Sequence, residues 1–344
     1  MSSSKEHQRT LWQTFNVEAT KDKQEKDDKH RGLVRNYRIP PWHNNIHPEH
    51  LWEVPQSIRE AAYLLAGLPE NGRIQEAFEK QFANFIYSSN KIEKAGLDRS
   101  ETLEIVKKMI SSSSTDKDDQ EADMGSTLGE DTKSRREVIQ HVHAFLYLKN
   151  RLLEGRHLSE EGLLECHWTL MTGIPSDEGF QGYQGRYRTC EIAVGRPLVL
   201  RTGEELTCSS SERVPDHMTE WLARYNSALN GSCDPIATAA ELKIDFLKIH
   251  PFLDGNGRMS RLLFNSLVTH YYPHTIIIFG ESKYERSKYQ SSVRESIRRE
   301  APGIFSFLSL RRAARHSLQR LQDLDTDTQP PDLDRLQETL SLVA

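Results

Sequence analysis

Apolar positions through the middle of the chain recur with the period of an α-helix. Ile74, Phe78, Phe82 and Phe85 follow the i, i+4, i+8, i+11 stripe of a helix with one buried face, and Val138, Val142, Phe145, Leu148 and Leu152 repeat it. Ser159 is placed to cap a helix carrying Leu163, His167 and Leu170, and Met218, Trp221, Leu222, Tyr225 and Leu229 mark another. Asp234-Pro235 reads as an N-cap followed by proline at the first helical position. It opens a helix with Ala239, Leu242, Phe246 and Ile249 on one face, which stops at His250-Pro251. Alternation suited to a strand is scarce: Cys190-Glu191-Ile192-Ala193-Val194, between Gly185 and Gly195, predicts part of a short hairpin. The pattern predicts a mainly α fold, a helical bundle with a minor β element.

Stretches without that period divide the chain. Residues 1–35 are dense in Lys, Asp, Glu and Gln and too poor in apolar positions to bury a core, which predicts a disordered arm. Residues 111–135 are of low complexity and predict a surface insertion between a helical region, 36–110, and a core, 136–310. From 311 to 344 the sequence predicts a helix and an acidic tail, in which Leu333, Leu336 and Leu340 keep a helical period.

Composition narrows the function. The 344 residues carry 45 Lys and Arg against 50 Asp and Glu, a net charge of −5, so no global excess of basic groups argues for neutralising a nucleic-acid backbone. The longest apolar runs, such as Tyr63–Gly67 and Thr275–Phe279, fall far short of the roughly 18 residues of a membrane span. The first residues are charged where a secretory signal would be apolar, which predicts a cytoplasmic protein, with the nucleus as the alternative. Cys166, Cys190, Cys208 and Cys233 form no C-x-x-C pair and predict reduced thiols, not a disulfide framework or a zinc site.

The chemistry concentrates in His250-Pro251-Phe252-Leu253-Asp254-Gly255-Asn256-Gly257-Arg258-Met259-Ser260-Arg261, followed by apolar Leu262, Leu263, Phe264 and Leu267. This reads as helix, loop, helix. Two glycines around an asparagine allow close approach of backbone N–H groups to a ligand, and the helix that follows adds the positive end of its dipole. Arg258 and Arg261, at i and i+3, flank the same first turns, so several phosphates suit the loop better than one. Asp254 offers a hard oxygen ligand for Mg²⁺ on a nucleotide's phosphates, and His250 offers a base near neutral pH. Taken singly, each residue is equally a solvated cap or a structural histidine. No P-loop, G-x-G-x-x-G, H-E-x-x-H or G-x-S-x-G competes with the joint pattern.

His250–Arg261 resembles the signature of the Fic family, H-x-F-x-[DE]-G-N-G-R-x-x-R, at every fixed position. The resemblance implies a Fic-type helical bundle and transfer of AMP from ATP to a Ser, Thr or Tyr hydroxyl of a protein. By the same resemblance His250 is the general base, Asp254 the Mg²⁺ ligand, and Gly255, Asn256 and Gly257 the α-phosphate cradle. Arg258 would take the bridging and β-phosphate oxygens, Arg261 the γ-phosphate, and Phe252 would anchor the loop in the core. Gly185-Arg186-Tyr187-Arg188 and the segment Glu191, Ile192, Ala193, Val194 are similar to the family's G-x-[YW]-R stretch and its β-hairpin flap, which docks the target polypeptide by strand addition. Tyr289 resembles the tyrosine that borders the adenine pocket. The resemblance covers roughly residues 57–300.

Upstream, Ser89 and Glu93 at i and i+4 resemble the inhibitory helix of Fic proteins, [ST]-x-x-x-E-[GN], whose glutamate pairs with the second motif arginine and obstructs the γ-phosphate. Residues 36–110 would then hold the inhibitory helix and 136–310 the catalytic core. Lys94 departs from the family's Gly or Asn at the last position. The expected partners are ATP and a hydroxyl-bearing protein, without nucleic acid or membrane, and the sequence admits a homo-oligomer. Two rivals share the site: removal of AMP from a modified protein, with Glu93 positioning a water, and a non-catalytic module that binds nucleotide as a signal. Intact His250 and Asp254 weigh against the second. His141 and His143 lie two apart on a helix and face different sides, and Arg311, Arg312 and Arg315 read as a solvated helix face.

Overall fold

The computed structural model describes residues 37–323 and 333–344, apart from 41–42, 44–45, 52, 68–71, 112–129, 177–178, 180, 193–197, 200–204, 207 and 232–233. The predicted N-terminal arm and most of the predicted 111–135 insertion lie outside the described residues. Helices account for most of the rest: α1 (Val54–Gly67), α2 (Gly72–Ile92), α3 (Arg99–Ser111), α4 (Glu130–Leu153), α5 (Glu160–Met171), α6 (Val214–Asn230), α7 (Pro235–Ile249), α8 (Asn256–Tyr271), α9 (Lys283–Arg298), α10 (Gly303–Gln322) and α11 (Leu333–Ser341). The fold is mainly α. The first residues of α4 fall inside the 111–135 segment.

The caps form where the sequence placed them. Ser159 accepts the Gly162 N–H at 3.1 Å to start α5, and Asp234 accepts that of Ala237 at 3.1 Å, with Pro235 at the first position of α7. The apolar stripes meet: Phe82 of α2 lies 4.9 Å from Phe145 of α4, ring centre to ring centre, and Phe85 lies 5.8 Å from it. Helix α8 is buried along nearly its whole length, packed against α4, α6 and α7, while α10 covers α1 and α7. A helix buried on all sides belongs at the centre of a bundle, and the motif loop opens at this helix's first turn, with its two arginines in the first two turns.

After α8 the apolar run Thr275–Phe279 is buried but pairs with no strand. Its backbone is satisfied by side chains instead. The Asn265 amide accepts the Ile277 N–H at 2.8 Å and donates to its carbonyl at 3.1 Å, and Gln81 donates to the Ile276 carbonyl at 3.0 Å.

The hairpin differs from the expectation. Two short strands, β1 (Leu198–Val199) and β2 (Glu205–Leu206), pair antiparallel with Leu198 opposite Leu206 and Val199 opposite Glu205. Glu191 and Ile192, expected in the flap, are not strand, while Ala193 and Val194 lie outside the described residues. The reason is local: the Cys190 carbonyl is taken by Arg188 at 3.0 Å, and the Glu191 carboxylate accepts the Ser211 N–H at 2.6 Å and its hydroxyl at 2.8 Å. Arg188 thus takes a carbonyl that a ladder would use, and the Ser211 contacts tie the Glu191 side chain away from a strand partner. No helix among the described residues is long and apolar enough to cross a membrane.

Replacing Asn265 with Leu should strand two buried backbone groups and lower stability by about 2–4 kcal/mol. Urea unfolding checks this; a loss below about 0.5 kcal/mol would refute the pairing role.

Candidate functional site

Helix α7 ends at Ile249, and its last carbonyls have no partner within the helix. Arg188 supplies one. This fully buried guanidinium donates to the His250 carbonyl at 2.8 Å and that of Ile249 at 3.3 Å, and also to Ser209 and Cys190, while its backbone N–H donates to Pro251 at 2.8 Å. His250 takes the left-handed conformation, φ 52°, which turns the chain out of the helix and into the motif.

Three side chains then shape the loop. Phe252 is buried against the His167 ring, stacked at 3.7 Å between centres, as expected of a core anchor. Asn256 folds back on Phe252, accepting its N–H at 3.0 Å and donating to its carbonyl at 2.7 Å. His167 accepts the Gly185 N–H through Nδ1 at 3.0 Å and therefore donates from Nε2 to the Asp254 carbonyl, also at 3.0 Å. Burial lowers the His167 pKa to about 3, which keeps the ring neutral and this tautomer fixed. Gly255 needs its positive φ of 79°, and a Cβ there would strike Met171 Sδ at 2.8 Å.

The first turn of α8 is where charges converge. A Cβ on Gly257 would fall 2.0 Å from Glu93 Oε1, so this carboxylate lies directly on the head of the helix, where open N–H groups and the dipole favour an anion. Glu93 also accepts from Arg261 Nη2 at 2.7 Å. The rest of the Arg261 guanidinium, fully buried, donates to the Ser89 hydroxyl at 2.8 Å, the Ser89 carbonyl at 2.9 Å and the Tyr289 hydroxyl at 3.4 Å. Burial would raise the Glu93 carboxyl, but the Arg261 charge and hydrogen bond, with Arg258 and Lys243 behind them, hold it below the usual range. Arg258 is also buried, with Glu137 Oε1 at 3.9 Å and Asp254 Oδ2 at 3.8 Å, both beyond hydrogen-bond reach. Its Nε and Nη1 have no hydrogen-bond partner. Such donors suit phosphate oxygens.

Asp254 accepts the Gly255 N–H at 2.5 Å through one oxygen and keeps its side chain 41% exposed. Among the described residues no group of three or more His, Cys, Asp and Glu could hold a metal ion. A single exposed carboxylate beside an anion cradle fits Mg²⁺, which completes its shell with phosphate and water oxygens, better than it fits zinc. On His250, Nδ1 lies 3.3 Å from the Leu247 carbonyl, which as acceptor leaves Nε2 free to take a proton. Burial lowers the His250 pKa, the Leu247 hydrogen bond opposing it in part, so the ring is neutral at pH 7.

Ser89, Glu93, Asp254, Gly255, Asn256, Gly257, Arg258, Arg261 and Tyr289 thus gather at the loop and the head of α8. Tyr289 is buried behind Arg261, against Phe279 and Phe305. Lys94 adopts φ 59°, the left-handed angle that glycine or asparagine takes readily and other residues take at a cost of about 1 kcal/mol. The turn that follows Glu93 is held from behind by α4: Glu137 accepts the Gly96 N–H at 2.7 Å, and Asn90 Oδ1 lies 2.8 Å from His141 Nδ1. The sequence singled out neither Glu137 nor Lys243, and marked His167 and His141 only by their positions on helices. Each contacts partners far along the chain, so no local spacing announces it. The solvated face expected at Arg311, Arg312 and Arg315 holds only at Arg315: Arg312 is buried and pairs with Glu285 at 2.7 Å, and Arg311 is half-buried and donates to the Val343 and Ala344 carbonyls. Cys166, Cys190 and Cys208 are free thiols, as expected.

Residues 157–268, from just before α5 to the fourth turn of α8, match the family model described as Fic/DOC family. These residues form a Fic domain. Among curated relatives, the Protein adenylyltransferase Fic of Drosophila ananassae is 31% identical over 163 residues, 47% of this chain and 29% of that one. That of Drosophila sechellia is 27% identical over 221 residues, 64% of this chain and 38% of that one. The matched parts therefore span well under half of those longer proteins. Among solved structures, a Fic domain containing signaling protein from Bacteroides thetaiotaomicron aligns with TM-score 0.57 at 21% identity, over 79% of this chain and 99% of that one. Fic-1 from C. elegans, residues 134–508, aligns with TM-score 0.56 at 20% identity, over 84% and 71%. These likenesses confirm the Fic fold.

Arg188→Lys should loosen the entry to the Fic motif, because one ammonium cannot replace a guanidinium fork that serves carbonyls on both sides of it. Hydrogen exchange at residues 249–252 should quicken by about tenfold or more, corresponding to about 1.4 kcal/mol. Unchanged protection would remove Arg188 from this role.

Proposed function

We propose that this Fic domain transfers AMP from ATP to a Ser, Thr or Tyr hydroxyl of a protein, and that Glu93 restrains it. The observation that carries the reading is the head of α8: a glycine that admits an anion, unpartnered Arg258 donors, and Arg261 already bound to a carboxylate. The names of the curated relatives support the same activity class.

The cradle N–H groups and Arg258 would receive phosphate oxygens, and Arg261 the terminal phosphate. Mg²⁺, held by Asp254 and the phosphates, would neutralise charge on the departing group. His250 Nε2 takes the proton of the target hydroxyl as its oxygen bonds to the α-phosphorus. The bond from that phosphorus to the bridging oxygen breaks, and pyrophosphate leaves. Donors fixed in a water-poor site stabilise the charge that develops.

Glu93 opposes this by occupying the charge-assisted hydrogen bonds that the γ-phosphate needs. A second reading rests on the same residue: its side chain is 37% exposed, so the carboxylate can also position water for removal of AMP from a modified protein. The partners under either reading are ATP or an AMP-modified protein, and a polypeptide bearing a hydroxyl.

Labelled ATP added to a lysate with the wild-type chain or Glu93→Gly tests the assignment. Transfer should rise by about ten- to a hundredfold, the worth of one charge-assisted hydrogen bond, and Arg261→Ala should cancel the gain. If Glu93→Gly leaves transfer unchanged and instead stops AMP removal, the hydrolytic reading replaces this one. His250→Ala should abolish transfer while calorimetry still detects Mg²⁺-ATP binding; label incorporation at wild-type level would exclude His250 as the base.

A pH–rate profile provides a further check. The base works when neutral, so activity is full above its pKa and falls as pH drops through it. With that pKa lowered, the acid limb of kcat/KM for Glu93→Gly should lie below pH 6.5. A limb at or above 6.5 would contradict the assignment.

A further inference from the structure

Lys243 is a cation inside the core that the transfer reaction does not use. It lies on α7, its side chain is buried, and its Nζ has no hydrogen-bond partner. The ammonium rests over two rings, 5.0 Å from the centre of Tyr289 and 4.9 Å from that of Phe305. Tyr289 in turn meets Arg261, whose Nη1 is 3.4 Å from the Tyr289 hydroxyl and whose guanidinium carbon is 5.9 Å from the ring centre. One buried phenol therefore stands between two buried cations. The charged and titratable groups around it are Lys243 on α7, Arg261 on α8 and, across Arg261, Glu93 after α2; α10 contributes the Phe305 ring.

Two cations sharing one partly exposed carboxylate are costly to bury unless another acceptor offsets them. The Tyr289 oxygen is placed to be that acceptor. We propose that Lys243 and Tyr289 are positioning residues for Arg261: the Lys243 ammonium, resting against the Tyr289 ring, fixes the phenol, and the oxygen lone pairs hold the guanidinium in place when Glu93 withdraws. Arg261 then keeps its orientation for a terminal phosphate and does not have to be ordered by it. Burial alone would raise the Tyr289 phenol, and the Lys243 and Arg261 charges outweigh it, so the hydroxyl ionises below the ordinary phenol value. Burial lowers the Lys243 ammonium.

The proposal rests on the phosphate-binding role given to Arg261 above, and its test has a part that does not. Ultraviolet difference titration of the wild-type chain against Tyr289→Phe isolates this tyrosine. It should ionise below pH 10, and Lys243→Met should move the transition up by at least about one pH unit. Ionisation with the ordinary tyrosines, unmoved by Lys243→Met, overturns the coupling of Lys243 to Tyr289.

The second part is calorimetry on Glu93→Gly, where no carboxylate competes. Adding Lys243→Met should weaken Mg²⁺-ATP by about tenfold and leave Mg²⁺-ADP within about twofold, since only ATP presents the terminal phosphate. Equal effects on both nucleotides overturn positioning at Arg261. Glu93→Gly protein that binds neither nucleotide would instead defeat the proposed function, and the titration would still decide the Lys243–Tyr289 pair.

Discussion

A guanidinium buried inside a helical bundle has to find acceptors for its donors or destabilise the fold by several kcal/mol, and Arg261 finds them on two distant stretches of the chain. Ser89 and Glu93 come from the end of α2 and the turn after it, and the Tyr289 hydroxyl comes from α9. Arg261 itself sits in the second turn of α8, the central helix. The contact therefore ties the N-terminal helices to the motif, and the location of α2 against α8 follows from it as much as from the Phe82, Phe85 and Phe145 cluster. It also leaves the site loaded with an internal anion.

Under the proposed function, stability and function compete for the same donors. A carboxylate over Gly257 satisfies the helix dipole and Arg261 together, and a phosphate arriving there must displace it. Arg258 is the contrasting case, because its nearest acids are too distant for hydrogen bonds and two of its nitrogens stay open. One motif arginine is thus occupied and the other is poised. Behind the occupied one, α4 fixes the turn after Glu93 through Glu137 and His141, while Lys94 holds that turn at a backbone angle unfavourable for its residue type. The grip is firm at its sides and strained at its tip.

Much of this was legible in the sequence because its signals are local. The stripes on α2 and α4, the Ser159 and Asp234 caps, and the stop at His250 all depend on residues within a turn or two of each other. The motif loop was legible for the same reason, since glycine, asparagine and arginine spacing encodes backbone geometry directly. What stayed hidden depends on partners far apart. Arg188 reaches the end of α7 from 61 positions away, and His167 meets Asp254 across 87. Lys243 looks like a solvated helix residue until the fold buries it. Alternation at residues 190–194 cannot reveal that Arg188 takes the Cys190 carbonyl or that Ser211 ties down the Glu191 side chain.

Under the proposed function, Arg261 at the head of α8 holds Glu93 as its resident anion and would take the terminal phosphate of ATP in its place. Calorimetric affinities of Glu93→Gln for Mg²⁺-ATP and for AMP, compared with the wild-type chain, test it without relying on any protein target. The amide keeps the shape of the side chain and removes its charge. ATP should bind about tenfold or more tightly to the variant while AMP, which lacks the outer phosphates, binds within about twofold of wild type. Equal changes for ATP and AMP, or none for either, would show that Glu93 and the terminal phosphate do not share a site.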